Sequence, residues 1–319
     1  MILELILLVA GFIVLIKGAD FLVSGSASVA KKYNVSNLAI GLTVVAFGTS
    51  MPEMLVNIMS AISGYNDAAF GNIIGSNNFN LLFILGVAGL IYPLVVQRST
   101  VAFEIPISIV AAGLLFFLVN DRMISGHDEN ILSRLDGLVL IIFFLLFLLY
   151  VWRSMKTSTD IDQEPVKIYS MPKSLLFAGA GIGMLIGGGN LVVENAVSIA
   201  HRYGLSERLI GLTILAAGTS LPELATSAVA AFKKQTDIAI GNVIGSNIFN
   251  IFLILGVTSM INPLPYNNVL NFDIAVLIGS TILLMIFMFT INQRKLDRWE
   301  AFILLAAFIT YTVLLIREG

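Results

Sequence analysis

The chain has 319 residues, of which 57% are apolar and 12% charged, with a mean hydropathy of +0.93. A soluble domain carries roughly 25% charged residues, so this composition excludes a soluble globular enzyme and points to a polytopic membrane protein. The net charge of −2 gives no sign of a nucleic-acid partner, and the lack of cysteine excludes disulfides and thiolate metal sites.

Apolar stretches of about 20 residues mark ten candidate spans, near 3–30, 38–63, 68–92, 101–119, 130–152, 173–200, 208–232, 238–262, 270–291 and 297–316. The first lacks a basic start and a small-residue cleavage site, so it reads as a span rather than a removed signal. Within it Lys17 and Asp20 lie three apart on one helix face, the spacing of an internal ion pair or of a snorkelling lysine. The second span contains Ala-Phe-Gly-Thr-Ser-Met-Pro-Glu (Ala46 to Glu53), and the third Gly-Asn-Ile-Ile-Gly-Ser-Asn-Asn-Phe-Asn (Gly71 to Asn80). Glu104 in span 4 and Glu194 in span 6 lie toward span ends and read as interfacial, while His127 and His201 fall in loops. Residues 153–172 form a polar linker that includes Thr157 to Glu164 and is too short for a folded domain. Spans 7 and 8 then repeat the motifs as Ala216 to Glu223 and Gly241 to Asn250.

Sliding the chain by 170 residues aligns 39–94 with 209–264 without a gap, and 28 of those 56 positions are identical. The register reaches back into span 1, where Gly11, Gly18, Val23, Ser28, Tyr33 and Ser36 match Gly181, Gly188, Val193, Ser198, Tyr203 and Ser206. Leu135-Asp136 and Leu296-Asp297 echo each other at spans 5 and 10. Each half therefore holds five spans: 1–152 forms the first repeat, and 173–319 the second. Five is odd, so the halves enter the membrane in opposite senses, and the expected fold is all-α, with ten transmembrane helices as two inverted five-helix repeats. Lys31, Lys32, Arg98, Arg153, Lys156, Lys167, Lys173, Lys233, Lys234, Arg294, Lys295 and Arg298 fall on one side of these spans. The other side holds Arg122, Arg134, Arg202, Arg208 and Arg317, so the positive-inside rule puts both termini outside the cytoplasm.

Glu53 and Asn80 fall near the middle of their spans, at about 1.5 Å per residue in a roughly 30 Å hydrocarbon layer, and Glu223 and Asn250 follow by the repeat. Pro52 and Pro222 remove a backbone donor just before each glutamate, and Gly48 and Gly218 permit a bend. Broken helices expose carbonyls to cations, here near Ala46, Thr49, Ala216 and Thr219. Gly71, Gly75 and Ser76, with Gly241, Gly245 and Ser246, let another helix approach closely. Two carboxylates, amides, hydroxyls and carbonyls make an all-oxygen site, which suits a hard cation and favours Ca²⁺ over Mg²⁺. One Ca²⁺ or two Na⁺ neutralise two ionised glutamates. Protons could do so too. An empty site keeps two unpaired buried charges, which opposes crossing without cargo and enforces exchange.

At these residues the sequence resembles the Ca²⁺/cation antiporter superfamily, in its prokaryotic sodium/calcium exchanger branch, over the whole chain. The resemblance implies ten spans and identifies 39–94 and 209–264 with the family's two alpha-repeats. It implies that Glu53 and Glu223 are central Ca²⁺ ligands shared with Na⁺, completed by Asn80 and Asn250, with the Thr49 and Thr219 carbonyls at the Ca²⁺ site. Ser50, Ser76, Ser220, Ser246 and the carbonyls of Ala46 and Ala216 would line flanking Na⁺ sites. Some relatives, including the potassium-dependent exchangers, have aspartate where this chain has Asn250, which argues against K⁺ co-transport. The short linker has no room for a Ca²⁺-sensing domain. The implied activity is Ca²⁺/Na⁺ antiport in the plasma membrane by alternating access, with spans 1 and 6 sliding past the rest, no cofactor and no obligate protein partner beyond the lipid bilayer. The alternatives are a Ca²⁺/H⁺ exchanger on the same scaffold, a cation channel, and an intramembrane aspartyl protease, whose chemistry requires two Asp rather than two Glu.

Overall fold

The computed structural model describes residues 2–120, 129–154, 167–202 and 216–318. In chain order the helices are α1 (Ile2–Tyr33), α2 (Asn37–Thr49), α3 (Met51–Ile62), α4 (Asn66–Ile91), α5 (Thr100–Val119), α6 (Arg134–Ser154), α7 (Met171–Arg202), α8 (Ala216–Thr219), α9 (Leu221–Phe232), α10 (Thr236–Ile261), α11 (Asn268–Phe287) and α12 (Arg298–Glu318). Among the described residues eight helices are long and apolar enough to cross a membrane, and nine if α2 and α3, bent by 48° at Ser50, form one span. The seventh expected span contributes α8 and α9. Its earlier part, 209–215, lies outside the described residues, as do Arg122, His127, Lys156, Thr157 to Glu164, Tyr203, Ser206 and Arg208.

Burial separates the helices into a centre and a rim. In α10, 94% of the apolar window is buried and in α4 78%, against 22% to 39% in the other six long helices. Composition agrees with this: α4 and α10 carry the repeated asparagines and Ser76 and Ser246, whose polar groups need protein partners because hydrocarbon offers none. Gly241 and Gly245 of α10 let Leu38, Leu42 and Ala46 of α2 come into direct contact, as the small-residue spacing predicts. Around Gly71 and Gly75 there is open space among the described residues, and the counterparts of those α2 positions, 208, 212 and 216, lie in or at the edge of the segment left out.

α1 and α7 pack along most of their length. Gly11 lies against Gly188 and Gly18 against Gly181, so the two repeat-related helices run antiparallel. A Cβ at Gly181 would fall 2.6 Å from the Leu22 amide nitrogen, and one at Gly188 2.8 Å from that of Leu15. Backbone meets backbone along this seam, and only glycine permits it. α7 also covers both bends, through Ile182 on Gly48 and Val193 on Gly218.

Among the described residues, four two-residue strands lie between the helices. β1 (Leu94–Val95) pairs with β4 (Lys295–Leu296), and β2 (Ile131–Leu132) with β3 (Leu264–Pro265). Each pair is antiparallel and joins one copy to the other. Leu94 sits opposite Leu296 and Leu132 opposite Leu264, so Leu296 matches Leu132, correcting the Leu135 and Leu296 correspondence expected from sequence. Capping sets this register. The Ser133 amide donates to Asp136 Oδ2 at 2.8 Å, and the Asp297 amide to Glu300 Oε2 at 2.7 Å, so each helix start is fixed by a carboxylate three residues on rather than by the Leu-Asp pair itself.

Three other expectations change. Asp20 pairs with Lys233, just past the end of α9, Oδ1 to Nζ at 2.6 Å, so the Lys17–Asp20 ion pair is not formed, while Lys17 is exposed on α1, in keeping with the snorkelling alternative. The lysine at the end of α9 reaches α1 and also donates to Ser24 Oγ at 2.7 Å, which a helix-face count on α1 alone does not reveal. Glu104 is 1% exposed rather than interfacial, because α6 packs over it and Tyr150 donates its hydroxyl to Oε1 at 2.5 Å. His201 lies in the last turn of α7, not in a loop.

The glycine seam is open to a direct test. Replacing Gly181 with leucine overpacks a backbone contact and should cost about 1–3 kcal/mol, read as a lower unfolding midpoint in detergent. Leucine at Gly187, where nothing among the described residues lies within 4 Å of a Cβ, should leave the midpoint unchanged or raised. Equal midpoints for the two variants would contradict the seam.

Candidate cation-binding site

The site begins with two identical breaks. Ser50 has φ −84° and ψ 6°, and Ser220 φ −91° and ψ 7°, each a single residue between two helices. This is the sparsely allowed bridge region, where many active-site residues sit. A proline two positions later opens the next helix and has no N–H to return to the carbonyl four residues back. Backbone bonds cross the first break from the Ser50 amide to the Ala46 carbonyl (2.9 Å) and from the Met54 amide to the Ser50 carbonyl (3.1 Å), on either side of the Thr49 carbonyl. The Ala46 carbonyl is thus engaged by the backbone rather than freed by the bend. Ala216 opens α8, at the matching place in the second copy.

The breaks deliver the glutamates to the first turns of α3 and α9, where each is 1% exposed. Each carboxylate is then held from the other copy. Ser220 Oγ donates to Glu53 Oε1 at 3.0 Å, and Ser50 Oγ to Glu223 Oε1 at 2.9 Å. Ser246 Oγ lies 3.5 Å from the same Glu223 oxygen. Each glutamate keeps its second oxygen, Oε2, buried with no hydrogen-bond partner among the described residues.

The asparagines come from the central helices. Asn80 and Asn250 each occupy the second position of a π-helical stretch, Phe79–Ile84 and Phe249–Leu255. Such wide turns occur frequently at functional sites. The stretch holding Asn80 packs on α9, which carries Glu223, and that holding Asn250 packs on α3, which carries Glu53. Asn80 Oδ1 and Asn250 Oδ1 are buried without a partner among the described residues, as is Ser76 Oγ. The threonine hydroxyls also reach the asparagines of the opposite copy: Thr49 donates to Asn242 Oδ1 at 3.0 Å and Thr219 to Asn72 Oδ1 at 3.2 Å.

Sequence reasoning missed Asn72, Asn242, Asn77 and Asn247. Asn242 also donates to Ser227 Oγ at 2.9 Å and to the Glu223 carbonyl at 3.3 Å, so it braces the start of α9. The signal was present, because all four asparagines are identical between the copies within Gly-Asn-x-x-Gly-Ser-Asn-x-x-Asn.

Chemically, Glu53 Oε2, Glu223 Oε2, Asn80 Oδ1 and Asn250 Oδ1 form a set of four buried acceptors. An unsatisfied buried acceptor costs about 1–3 kcal/mol, and a carboxylate more, so four at matching positions call for a positively charged or proton-donating occupant. Oxygen ligands of this kind suit hard cations.

The model of the "Sodium/calcium exchanger protein" family matches residues 3–153 and 173–317 of the chain. CaxA of Alkalimonas amylolytica is 36% identical to it over 99% of both chains. The sodium/calcium exchanger MaX1 of Methanosarcina acetivorans is 30% identical over 97% of both. Among solved structures, the sodium-calcium exchanger NCX_Mj soaked with 2.5 mM Na⁺ and 0.1 mM Ca²⁺ superposes with a TM-score of 0.83, at 32% identity and 98% coverage of each chain. With likeness of this extent in sequence and in fold, the chain belongs to the sodium/calcium exchanger family.

Proposed function

We propose that the chain is a secondary antiporter that exchanges Ca²⁺ for Na⁺ across the plasma membrane by alternating access. The observation that carries this reading is the exchange of donors between copies, with one oxygen of each buried glutamate held by the other copy's serine and the second unpartnered. In this reading Glu53 and Glu223 bind Ca²⁺ with Asn80, Asn250 and the Thr49 and Thr219 carbonyls. Ser50, Ser76, Ser220 and Ser246, with the Ala46 and Ala216 carbonyls, serve Na⁺ beside them. The role of the Ala46 carbonyl is the least favoured of these, since it already accepts the Ser50 amide.

The proposed architecture is ten spans in two inverted five-helix repeats, 1–152 and 173–319, joined by the 153–172 linker. The antiparallel α1 and α7, the strand pairs that join the copies and the family match in two segments support it. Two glutamates give a charge of −2, so one Ca²⁺ or two Na⁺ neutralise the site, and an empty site holds two uncompensated buried charges. That penalty makes exchange, rather than one-way leakage, the favoured mode. In alternating access the two halves trade conformations around the fixed ligands, with α1 and α7 sliding as a pair.

In proteoliposomes, an outward Na⁺ gradient should drive uptake of radiolabelled Ca²⁺, and Glu53→Gln or Glu223→Gln should reduce it by about 100-fold or more, about 2.7 kcal/mol or more. Uptake untouched by either substitution would sink the assignment. A pH gradient without Na⁺ should drive no uptake; if it does, protons are the counter-ion. Orientation is checked separately on this cysteine-free chain: Arg317→Cys should react with an impermeant maleimide added outside intact cells, and labelling only after lysis would reverse the proposed topology.

A further inference from the structure

The four asparagines at the crossing of α4 and α10 form a closed, reciprocal set. Asn77, Asn80, Asn247 and Asn250 are each at most 1% exposed. Asn247 Nδ2 donates to the Asn77 backbone carbonyl at 3.3 Å, and Asn77 Nδ2 to the Asn247 backbone carbonyl at 3.3 Å. Asn80 Nδ2 donates to Asn247 Oδ1 at 3.0 Å, and Asn250 Nδ2 to Asn77 Oδ1 at 2.9 Å.

These bonds have a fixed sense. A backbone carbonyl only accepts, so the amides of Asn77 and Asn247 must turn their nitrogens toward it. Their oxygens are then the ends that face Asn250 and Asn80. An oxygen only accepts as well, so Asn80 and Asn250 must present nitrogen to it and turn their own oxygens the other way. Those outward oxygens are the two left without a partner. We infer that Asn77 and Asn247 are positioning residues that hold the Asn250 and Asn80 amides oxygen-first toward the cation.

This deepens the exchange reading and rests on it. A flipped Asn80 or Asn250 would offer an NH₂ group, with its partial positive charge, to Ca²⁺. Holding both amides in advance removes the cost of turning and fixing them when the ion arrives, which is the general benefit of preorganisation. Each ligand is aimed by the other copy: Asn247 of the second sets Asn80 of the first, and Asn77 of the first sets Asn250 of the second. The set is also specific to amides at the ligand positions. An ionised aspartate at 250 would bring an acceptor against Asn77 Oδ1, relieved either by Asn77 turning over and abandoning the Asn247 carbonyl or by the acid taking up a proton.

A double-mutant cycle on the full-length protein tests the inference, with Ca²⁺ titrated both by calorimetry and by initial uptake rate. Asn77→Ala should raise half-saturating Ca²⁺ about 10-fold and leave the maximal rate within about 3-fold, a split that corresponds to about 1.4 kcal/mol in binding. In an Asn250→Ala background, which has no amide oxygen to aim, Asn77→Ala should add less than about 2-fold. A purely structural role would instead multiply the two effects, and that result overturns the inference. Asn247→Ala with Asn80→Ala forms an independent cycle with the same expectation. Should the variants fail to fold, unsubstituted protein labelled with carbon-13 at the asparagine side-chain carbonyl serves instead. Ca²⁺ should shift a labelled carbonyl band in the infrared difference spectrum, and an unshifted band in protein that binds Ca²⁺ overturns the inference. Unsubstituted protein that neither binds nor transports Ca²⁺ would defeat the exchange reading first, a result distinct from an active protein with independent effects.

Discussion

The fold rests on burying two carboxylates side by side and satisfying each with a hydroxyl from the opposite copy. Ser220 reaches Glu53 and Ser50 reaches Glu223, while each serine sits three residues before the glutamate of its own copy. The shorter hydroxyl bond to each acid comes from the other half, with Ser246 of the same half lying farther from Glu223, at 3.5 Å. A hydrogen bond to a charged group is worth about 1.5–3 kcal/mol, and a buried carboxylate that loses its partner costs more than the bond returned. The docking of the halves and the integrity of the site are therefore one condition. Displacing α3 and α8 relative to one another loosens the Glu53 bond, and displacing α2 relative to α9 loosens the Glu223 bond.

That condition explains why helices are broken where continuous ones would be more stable. A straight helix through Ser50 would bury the Ser50 and Glu53 side chains on its own surface. The break at φ −84° and ψ 6° instead sends the hydroxyl across to α9 and starts a fresh helix whose first turn carries the acid. Acids near a helix N-terminus are favoured by its dipole, which offsets part of their burial. The π-helical stretches at Asn80 and Asn250 are a second departure from regular geometry, and the amide ring between α4 and α10 stabilises them from the other side. Both copies thus place an irregular turn and an unpartnered amide oxygen at the same central position.

Much of this was legible in the sequence because the repeat is so close. An offset of 170 places Glu53 with Glu223, Ser50 with Ser220 and Asn80 with Asn250, and the bends follow from Pro and Gly. What an alignment cannot give is which residue faces which. Ser50 with Glu223 is a contact between unlike positions of two copies, and only docking selects it. The same limit hid the asparagine ring: Asn77 and Asn247 stood in the repeated motif, but their partners are backbone carbonyls on another helix. Glu104 read as interfacial from its place near a span end, because its burial depends on Tyr150, 46 residues away in sequence. The start of α12 was misaligned by a Leu-Asp match, where a capping carboxylate governs.

Departures from the two-fold pattern carry information that the pattern itself does not. Asp20 of α1 is tied to Lys233, just past the end of α9, and the same lysine reaches Ser24. Their counterparts by the repeat, Asn190 and Ser63, are uncharged and form no ion pair. The pair is partly exposed, with 28% and 42% of the two side chains accessible, so it contributes only about 0–1 kcal/mol. That is small beside the cost of an uncompensated glutamate. It is nevertheless comparable to the free energies that separate conformers populated within about 10-fold of each other. Asymmetry is thus present at the periphery, in the bond between α1 and Lys233, and also at the centre, where Ser246 Oγ reaches Glu223 while Ser76 Oγ has no partner among the described residues. If the two halves trade conformations as proposed, unduplicated contacts of either kind weight one orientation over the other, because duplicated ones contribute equally to both.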